Sequence, residues 1–236
     1  MKKRIWELDA LRGLCVIGMV AVHLVFDLTV LYRLVDWNVP AWFAFLQNWG
    51  GVLFLLISGI SATLGSRCVR RGIIVFGCGM LITAVTTGMY LLGMADRGII
   101  IYFGVLQCLG VCMMMWPLFR KIPWWALTGI GITMVAFGLW LGEQPPTTVY
   151  WLMPFGLPWE TFYTSDYFPL FPNLGFFLLG AAVGRTLYRN KESLLPNVDE
   201  THPVPAFFRL CGKHSLLIYL AHQPLLSGLC MLLTLH

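Results

Sequence analysis

Four of the charged or ionisable side chains in the first long apolar stretch of the sequence, residues 4–28, recur at helical spacing. At about 100° per residue, their spacing places all four on one stripe of a helix. An ionisable side chain costs on the order of 3 kcal/mol at the centre of a membrane helix, so this stripe must face protein or a water-filled cavity. An imidazole in such a place can accept and return a proton near neutral pH. The four residues are Asp9, Arg12, His23 and Asp27.

His23 has a functional and a structural interpretation. It follows Arg12 by about eleven residues, or roughly 16 Å of helix, which places it near the middle of a hydrocarbon core about 30 Å thick. The functional interpretation is a base whose tautomer is fixed by Asp27 one turn later. The structural interpretation is a neutral ring that ties helices together by hydrogen bonding. Asp9 and Arg12, taken alone, are explained by an ordinary ion pair at the water interface.

A second imidazole lies in the last apolar stretch. His222 is about eight residues into that stretch, a depth comparable with that of His23, so a closed bundle can bring the two rings together. Tyr219 precedes it by three residues. In the fourth apolar stretch, the Gln107 amide needs a hydrogen-bond partner.

The composition indicates a membrane protein that crosses the bilayer several times. Apolar residues make up 58% of the sequence and charged residues 11%, which is not typical of a soluble domain. The N-terminal stretch carries charges and lacks a small-residue cleavage site before Asp27, so we interpret it as a retained span rather than a signal peptide. Seven cysteines without a CxxC pair indicate neither a disulfide framework nor a metal site.

Seven apolar segments are each long enough to span a membrane. We therefore predict an all-α integral membrane protein, a bundle of about seven transmembrane helices with a cytosolic N-terminus and an external C-terminus. The predicted spans are 12–32, 41–64, 73–93, 99–118, 123–142, 168–188 and 214–234.

The orientation follows from the positions of the cations, because short cytosolic loops collect Lys and Arg. Only Arg33 and Arg97 fall on the predicted outer side. This asymmetry explains most of the net charge of +5, so that charge does not indicate nucleic-acid binding. Six of the inner cations are predicted to form a basic collar that attracts a cytosolic anion such as a nucleotide phosphate. The predicted inner cations are Lys2, Lys3, Arg4, Arg12, Arg67, Arg70, Arg71, Arg120, Lys121, Arg185, Arg189, Lys191, Arg209 and Lys213, and the collar is Arg67, Arg70, Arg71, Arg120, Lys121 and Lys213.

The whole chain, 1–236, is predicted to form a single transmembrane domain. Residues 143–168 are its longest external segment and are rich in Pro, Trp and Tyr. Aromatic rings at this depth either anchor the protein in the interface or form the wall of a sugar-binding site, and anchoring is the more common role. Residues 189–212 are predicted to be a polar cytosolic linker.

Four sequence blocks, in order from the first span to the last, carry a resemblance to a known family. They are LDALRGL, YFGVLQCLG, DYFPLFPNLGFFLLGAAVGR and HSLLIYLAHQP. The pattern resembles the bacterial relatives of heparan-alpha-glucosaminide N-acetyltransferase. The resemblance implies a multi-pass protein of the bacterial cytoplasmic membrane that moves an acetyl group from cytosolic acetyl-CoA to an amino sugar or other envelope glycan on the outer side.

Such acyl transfer, to nitrogen or to oxygen, needs a base at the acceptor, a hydrogen-bond donor to the developing oxyanion and a path for CoA. No metal is expected. The expected partners are acyl-CoA, the glycan acceptor and the lipid bilayer, without nucleic acid; a homodimer is left open. No Ser or Cys stands out as a nucleophile, so direct transfer is favoured. Many relatives carry His where this chain has Gln107. The candidate catalytic residues are His23, Asp27, His222, Tyr219 and Gln107, and the candidate CoA-binding residues are Asp9, Arg12, Arg70, Arg71, Lys213 and His214.

Two alternatives come from other classes of protein. A proton-coupled transporter would use the same buried His and Asp as a relay. No internal repeat of the kind many carriers show is visible in the sequence. A non-catalytic partner of a larger complex would need none of this buried polarity.

Overall fold

The computed structural model describes residues 5–37, 40–200 and 202–234. Three of the predicted inner cations, Lys2, Lys3 and Arg4, lie outside these ranges. Eight α-helices form the described chain, and all seven predicted spans are helical over most of their length. All seven cysteines are free. The helices are α1 (Trp6–Phe26), α2 (Ala41–Leu64), α3 (Cys68–Leu91), α4 (Val105–Phe119), α5 (Trp124–Gly142), α6 (Leu170–Leu187), α7 (Pro203–Lys213) and α8 (Ser215–Thr234).

Five of the helices are long and apolar enough to cross a membrane, and α1 continues into a π-helical turn, Asp27–Leu31. A sixth, α2, qualifies as a bent pair, because Ala41–Gln47 and Trp49–Leu64 meet at 42°. The predicted span 99–118 is α-helical only from Val105, and the 15 residues of α4 cover about 22 Å. The protein is therefore all-helical in its described part and multi-pass. The five are Trp6–Leu31, Cys68–Leu91, Trp124–Gly142, Leu170–Leu187 and Ser215–Thr234.

The predicted single domain divides into two compact units. The first unit comprises Met1–Ile57 and Lys191–His236, and contains α1, most of α2, α7 and α8. The second comprises Ser58–Asn190, with the end of α2 and α3 to α6. In the second unit, α3 packs on α4 and α5 packs on α6. The end of α2 also reaches α6, where Gly59 lies against the backbone carbonyl of Phe177.

In the first unit, α7 packs closely on the beginning of α1. The contact is made by two glycines: a Cβ on Gly212 would overlap the Asp9 carbonyl oxygen, and a Cβ on Gly13 would overlap that of Phe208. Helix backbones approach this closely only where small residues face each other. The segment 189–212, predicted to be a polar linker, thus contributes most of an 11-residue helix to the first unit.

The Glu7 carboxylate connects α1 to the chain that leads to α7. It accepts hydrogen bonds from the Ser193 hydroxyl and the Leu194 N–H, both at 2.8 Å. Glu7 is buried, and these two donors compensate for the water that its carboxylate has lost. The beginning of α1 is therefore held from two sides.

Candidate active site

The two predicted imidazoles lie side by side in the first unit. His23 on α1 and His222 on α8 have ring centroids 4.9 Å apart, with the ring planes at 73°. His222 is buried, and His23 is half-buried. The matching depths of the two residues predicted that the bundle can bring the rings together, and the structure adds their edge-to-face geometry.

Each imidazole uses Nδ1 to bind a backbone carbonyl of its own helix. His23 Nδ1 lies 2.9 Å from the Met19 oxygen, and His222 Nδ1 lies 2.5 Å from the Tyr219 oxygen. Because a carbonyl oxygen only accepts, both Nδ1 atoms carry the proton, and in the neutral rings both Nε2 atoms have a lone pair. His222 Nε2 is buried without a hydrogen-bond partner in the described residues. The pair is thus arranged to accept protons at Nε2.

Asp27 does not fix the tautomer of His23, since the Met19 carbonyl does so. The Gln223 amide nitrogen instead donates to both Asp27 carboxylate oxygens, each at 3.0 Å. Asp27 is fully buried at the first position of the π-helical turn. This contact connects α1 and α8 one turn after His23 on α1 and one residue after His222 on α8. The hydrogen bonds described for Asp27 therefore go to α8 and not to His23.

Tyr219 lies directly beside His222. Its carbonyl binds His222 Nδ1, and the two rings have centroids 5.4 Å apart. A phenolic hydroxyl can donate to a developing negative charge. The structure therefore brings together four of the five candidate catalytic residues in the first unit: His23, Asp27, Tyr219 and His222.

The fifth candidate, Gln107, belongs to the second unit and connects helices there. Its side-chain nitrogen donates to the Gly79 carbonyl and the Thr83 hydroxyl, both at 2.9 Å, and its oxygen accepts from the Gly104 N–H at 3.0 Å. The hydrogen-bond partners predicted for this amide are thus groups of α3 and of the start of α4. These contacts explain its burial without a catalytic role.

The first unit also holds four of the candidate CoA-binding residues. Arg12 pairs with Asp9 at 3.0 Å, and both side chains are largely buried. Lys213 and His214 are exposed at the joint between α7 and α8. Because Gly212 contacts the Asp9 backbone, all four lie at the same end of α1. An exposed pair of basic groups therefore stands beside a buried ion pair.

Three members of the predicted basic collar line a cleft in the second unit. The cleft has a volume of about 780 Å³ and lies between the start of α3 and the end of α4. Arg71, a candidate CoA ligand with Arg70, is exposed outside this lining, as is Lys121. The remaining collar residue, Lys213, belongs to the first unit. The lining residues of the collar are Arg67, Arg70 and Arg120.

The aromatic segment 143–168, predicted to be external, folds onto the chain that precedes α4. The Thr164 hydroxyl donates to the Ile100 carbonyl at 2.6 Å, and the Ser165 hydroxyl donates to the Gly98 carbonyl at 2.7 Å. The ring of Trp159 contacts that of Tyr102 with centroids 5.6 Å apart. The segment is therefore fixed by both hydrogen bonds and ring contacts.

Tyr167 shows how tightly the end of this segment is held. Burial raises its pKa well above the usual range, so its hydroxyl stays protonated and donates to the Met153 carbonyl at 2.6 Å. The exposed rings are Tyr150, Trp151, Phe155 and Tyr163. Interfacial anchoring and sugar stacking are both predictions for these four rings.

Two contacts of polar residues were not predicted from the sequence. Gln223, the partner of Asp27, was visible as a polar residue before Pro224 in an apolar helix. Asp166 accepts from the Val105 N–H at 3.2 Å and so stabilises the first turn of α4. Its position before the sixth span gave no indication of a contact 61 residues away.

The comparison with known proteins identifies the family of the chain. Residues 4–224 match the family described as heparan-alpha-glucosaminide N-acetyltransferase, catalytic. The chain belongs to this family. No curated protein and no solved structure matches it. Family membership and the spanning helices together identify a membrane protein related to an acetyltransferase. Within the described ranges, no three His, Cys, Asp or Glu residues could hold a metal ion, and the expected metal-free chemistry stays a prediction.

Proposed function

We propose that this protein transfers an acetyl group from cytosolic acetyl-CoA to an amino sugar, or another glycan acceptor, on the outer side of the bacterial cytoplasmic membrane. The observation that carries the proposal is the His23–His222 pair, with both Nε2 lone pairs inside an apolar helix pair. General base catalysis needs such a nitrogen at the acceptor. The family match supports the reaction class.

In the proposed step, His23 Nε2 takes the proton of the acceptor amine or hydroxyl. The acceptor atom then bonds to the thioester carbonyl carbon, and the carbonyl oxygen becomes an oxyanion to which the Tyr219 hydroxyl donates. The C–S bond breaks, and the thiolate of CoA receives the proton back from His23. The products are acetylated acceptor and CoA, without an acetylated enzyme.

His222, Asp27 and Gln223 hold this arrangement in place. His222 packs its ring on His23, and the Asp27–Gln223 hydrogen bonds hold α8 against α1 just beyond the rings. We assign Asp27 and Gln223 as positioning residues, since each acts through another group. Gln107 is assigned a structural role in the second unit.

The basic end of the first unit is the proposed site for the CoA phosphates. Arg12, Lys213 and His214 offer cationic and hydrogen-bonding groups, and Asp9 holds the Arg12 guanidinium. Arg12 precedes His23 on α1 by about 16 Å, so phosphates bound there leave the extended pantetheine arm directed along α1. Arg71 is proposed as a further cation that attracts CoA to the cytosolic face, whereas Arg70 belongs to the cleft between α3 and α4.

The orientation proposed here is N-terminus inside and seven spans, with α2 and α4 included. The joints at Arg67–Arg71, Arg120–Lys121 and Arg189–Lys191 would then all be cytosolic, as the distribution of cations favours. Acetyl-CoA would meet its binding residues from that side. The 143–168 segment would face the acceptor.

An acetylation assay with the two substrates on opposite sides of a membrane tests the reaction. Sealed vesicles with the purified protein would hold glucosamine inside, with acetyl-CoA outside. We expect N-acetylated amino sugar to form inside while free CoA appears outside, measured by mass spectrometry and a thiol reagent. Protein-free vesicles are the control. Acetylation only when both substrates share one side would overturn the transmembrane route, and proton movement without CoA release would favour a carrier.

The phosphate-binding assignment predicts a salt-dependent loss of CoA affinity. Replacing Lys213 and His214 together with Gln should weaken CoA binding about tenfold at low salt and less at high salt, because exposed phosphate contacts are screened. Calorimetry with CoA measures this. Arg33→Gln, an exposed cation of the first unit on the predicted outer side, is the matched control. Equal affinity in all three proteins would remove Lys213 and His214 from the CoA site.

A further inference from the structure

The cleft at the start of α3 combines cations with an apolar wall. Its cations come from two places: Arg67 and Arg70 at the start of α3, and Arg120 directly after α4. The backbone carbonyl of Arg120 accepts a hydrogen bond from the Arg185 guanidinium, which fixes this side of the cleft. The cations of the cleft thus lie at the ends of two helices, with Arg67 directly before α3 and Arg120 directly after α4.

The three arginines have no carboxylate among the residues that line the cleft. Neither of the two ion pairs within the described ranges includes them. Three like charges around one cavity repel each other unless an anion lies between them. Guanidinium groups match the geometry of a phosphate, which they can bind in bidentate fashion.

The remaining wall of the cleft is apolar and faces outward from the helices. Ile73 and Ile74 are 57% and 51% exposed on α3, a helix long and apolar enough to span a membrane. They follow Arg70 by about one helical turn, or roughly 5 Å. Pro117 and the buried Trp116 contribute apolar surface from α4. Because the bilayer covers the exposed side of a spanning helix, the arginines of the cleft lie one turn from hydrocarbon. An anionic lipid offers groups for both surfaces, whereas a fully water-soluble anion offers a group for the arginines alone.

From this juxtaposition we infer that the cleft binds the phosphate of an anionic phospholipid, with an acyl chain along Ile73, Ile74 and Pro117. The arginines hold the phosphate at the membrane surface, and the isoleucines contact the first part of the chain. This assignment does not depend on the proposed acetyl transfer. A nucleotide phosphate such as that of CoA shares the same anionic chemistry and is the other source that the experiment distinguishes.

Native mass spectrometry of the protein released from nanodiscs tests the assignment. The discs would contain phosphatidylglycerol and phosphatidylcholine in equal amounts. We expect the parent protein to retain mainly phosphatidylglycerol, and the double variant Arg67→Gln, Arg70→Gln to retain about tenfold less. The matched control is Arg189→Gln, Lys191→Gln, which removes the same charge from two exposed positions after α6. Equal retention by the two double variants would overturn the inference.

Two further measurements separate the lipid from a soluble phosphate. Replacing Ile73 and Ile74 with Asn should lower phosphatidylglycerol retention several-fold but leave the binding of inorganic pyrophosphate unchanged. Adding CoA to the lipid-bound parent protein should not release the lipid. Release of the lipid by CoA would assign the arginines to a nucleotide instead. So would unchanged phosphatidylglycerol retention after both isoleucines are replaced.

Discussion

His23→Gln is expected to lower acetyl transfer by about 10²–10⁴-fold while CoA binding stays at the parental level. Glutamine keeps a donor for the Met19 carbonyl but cannot accept and return a proton at neutral pH. Transfer would be measured by CoA release with glucosamine as acceptor, and binding by calorimetry. A structural role would instead lower the melting temperature more than the rate.

Two other histidine variants complete this experiment. His222→Gln removes the Nε2 lone pair of the second imidazole and leaves His23 in place. His202→Gln changes an exposed histidine of the same unit and is the control. A normal rate in His23→Gln together with a large loss in His222→Gln would move the base to His222. Normal rates in both variants would exclude the imidazole pair from the reaction.

Gly212→Ala is expected to lower the free energy of unfolding by about 3 kcal/mol or more. The new methyl group would overlap the Asp9 carbonyl oxygen, and the obstructing atom is backbone that cannot rotate away. Thermal unfolding in detergent, followed by size-exclusion chromatography, measures the loss. Since α7 leads directly into α8, acetyl transfer should fall with it.

Gly228→Ala is the matched control for this substitution. Gly228 lies in α8, in the same unit, and a Cβ there meets nothing within 4 Å. Alanine is favoured over glycine in a helix by about 1 kcal/mol, so this variant should be as stable as the parent or slightly more stable. Similar stability of the two variants would show that α1 and α7 can separate without cost.

The positions of the spanning helices were predictable because long apolar segments leave few other structures possible. The helix α7 was not, since its charged and Pro-containing sequence was interpreted as a linker. Pro203 was a usable signal, because proline is favoured in the first turn of a helix, and Phe207 and Leu210 follow at helical spacing. That prediction followed the polar composition of 189–212. The helical spacing of its apolar residues would have predicted α7.

The sequence predicted which residues of the first unit lie together better than it predicted their hydrogen bonds. Helical depth placed His23 beside His222, because depth depends on spacing along each helix. The tautomers depend on carbonyls of the same helices, and the partner of Asp27 depends on how α8 is rotated, which spacing does not determine. For Gln107, the sequence correctly predicted hydrogen-bond partners for a buried amide. Those partners belong to the second unit, so the structure does not place Gln107 with the other candidate catalytic residues.

The hydrogen bonds between Asp27 and Gln223 join positions 196 residues apart. At a synthesis rate of roughly 5–20 residues per second, the ribosome needs about 10–40 seconds to make the chain between them. During that interval, α1 must stay in the bilayer with a carboxylate and an imidazole that have no partner on α8. The nascent chain therefore carries two ionisable groups of α1 without their α8 partners until its last helix is inserted. The interval before α8 enters the bilayer is the stage at which membrane chaperones and proteases would act on this protein.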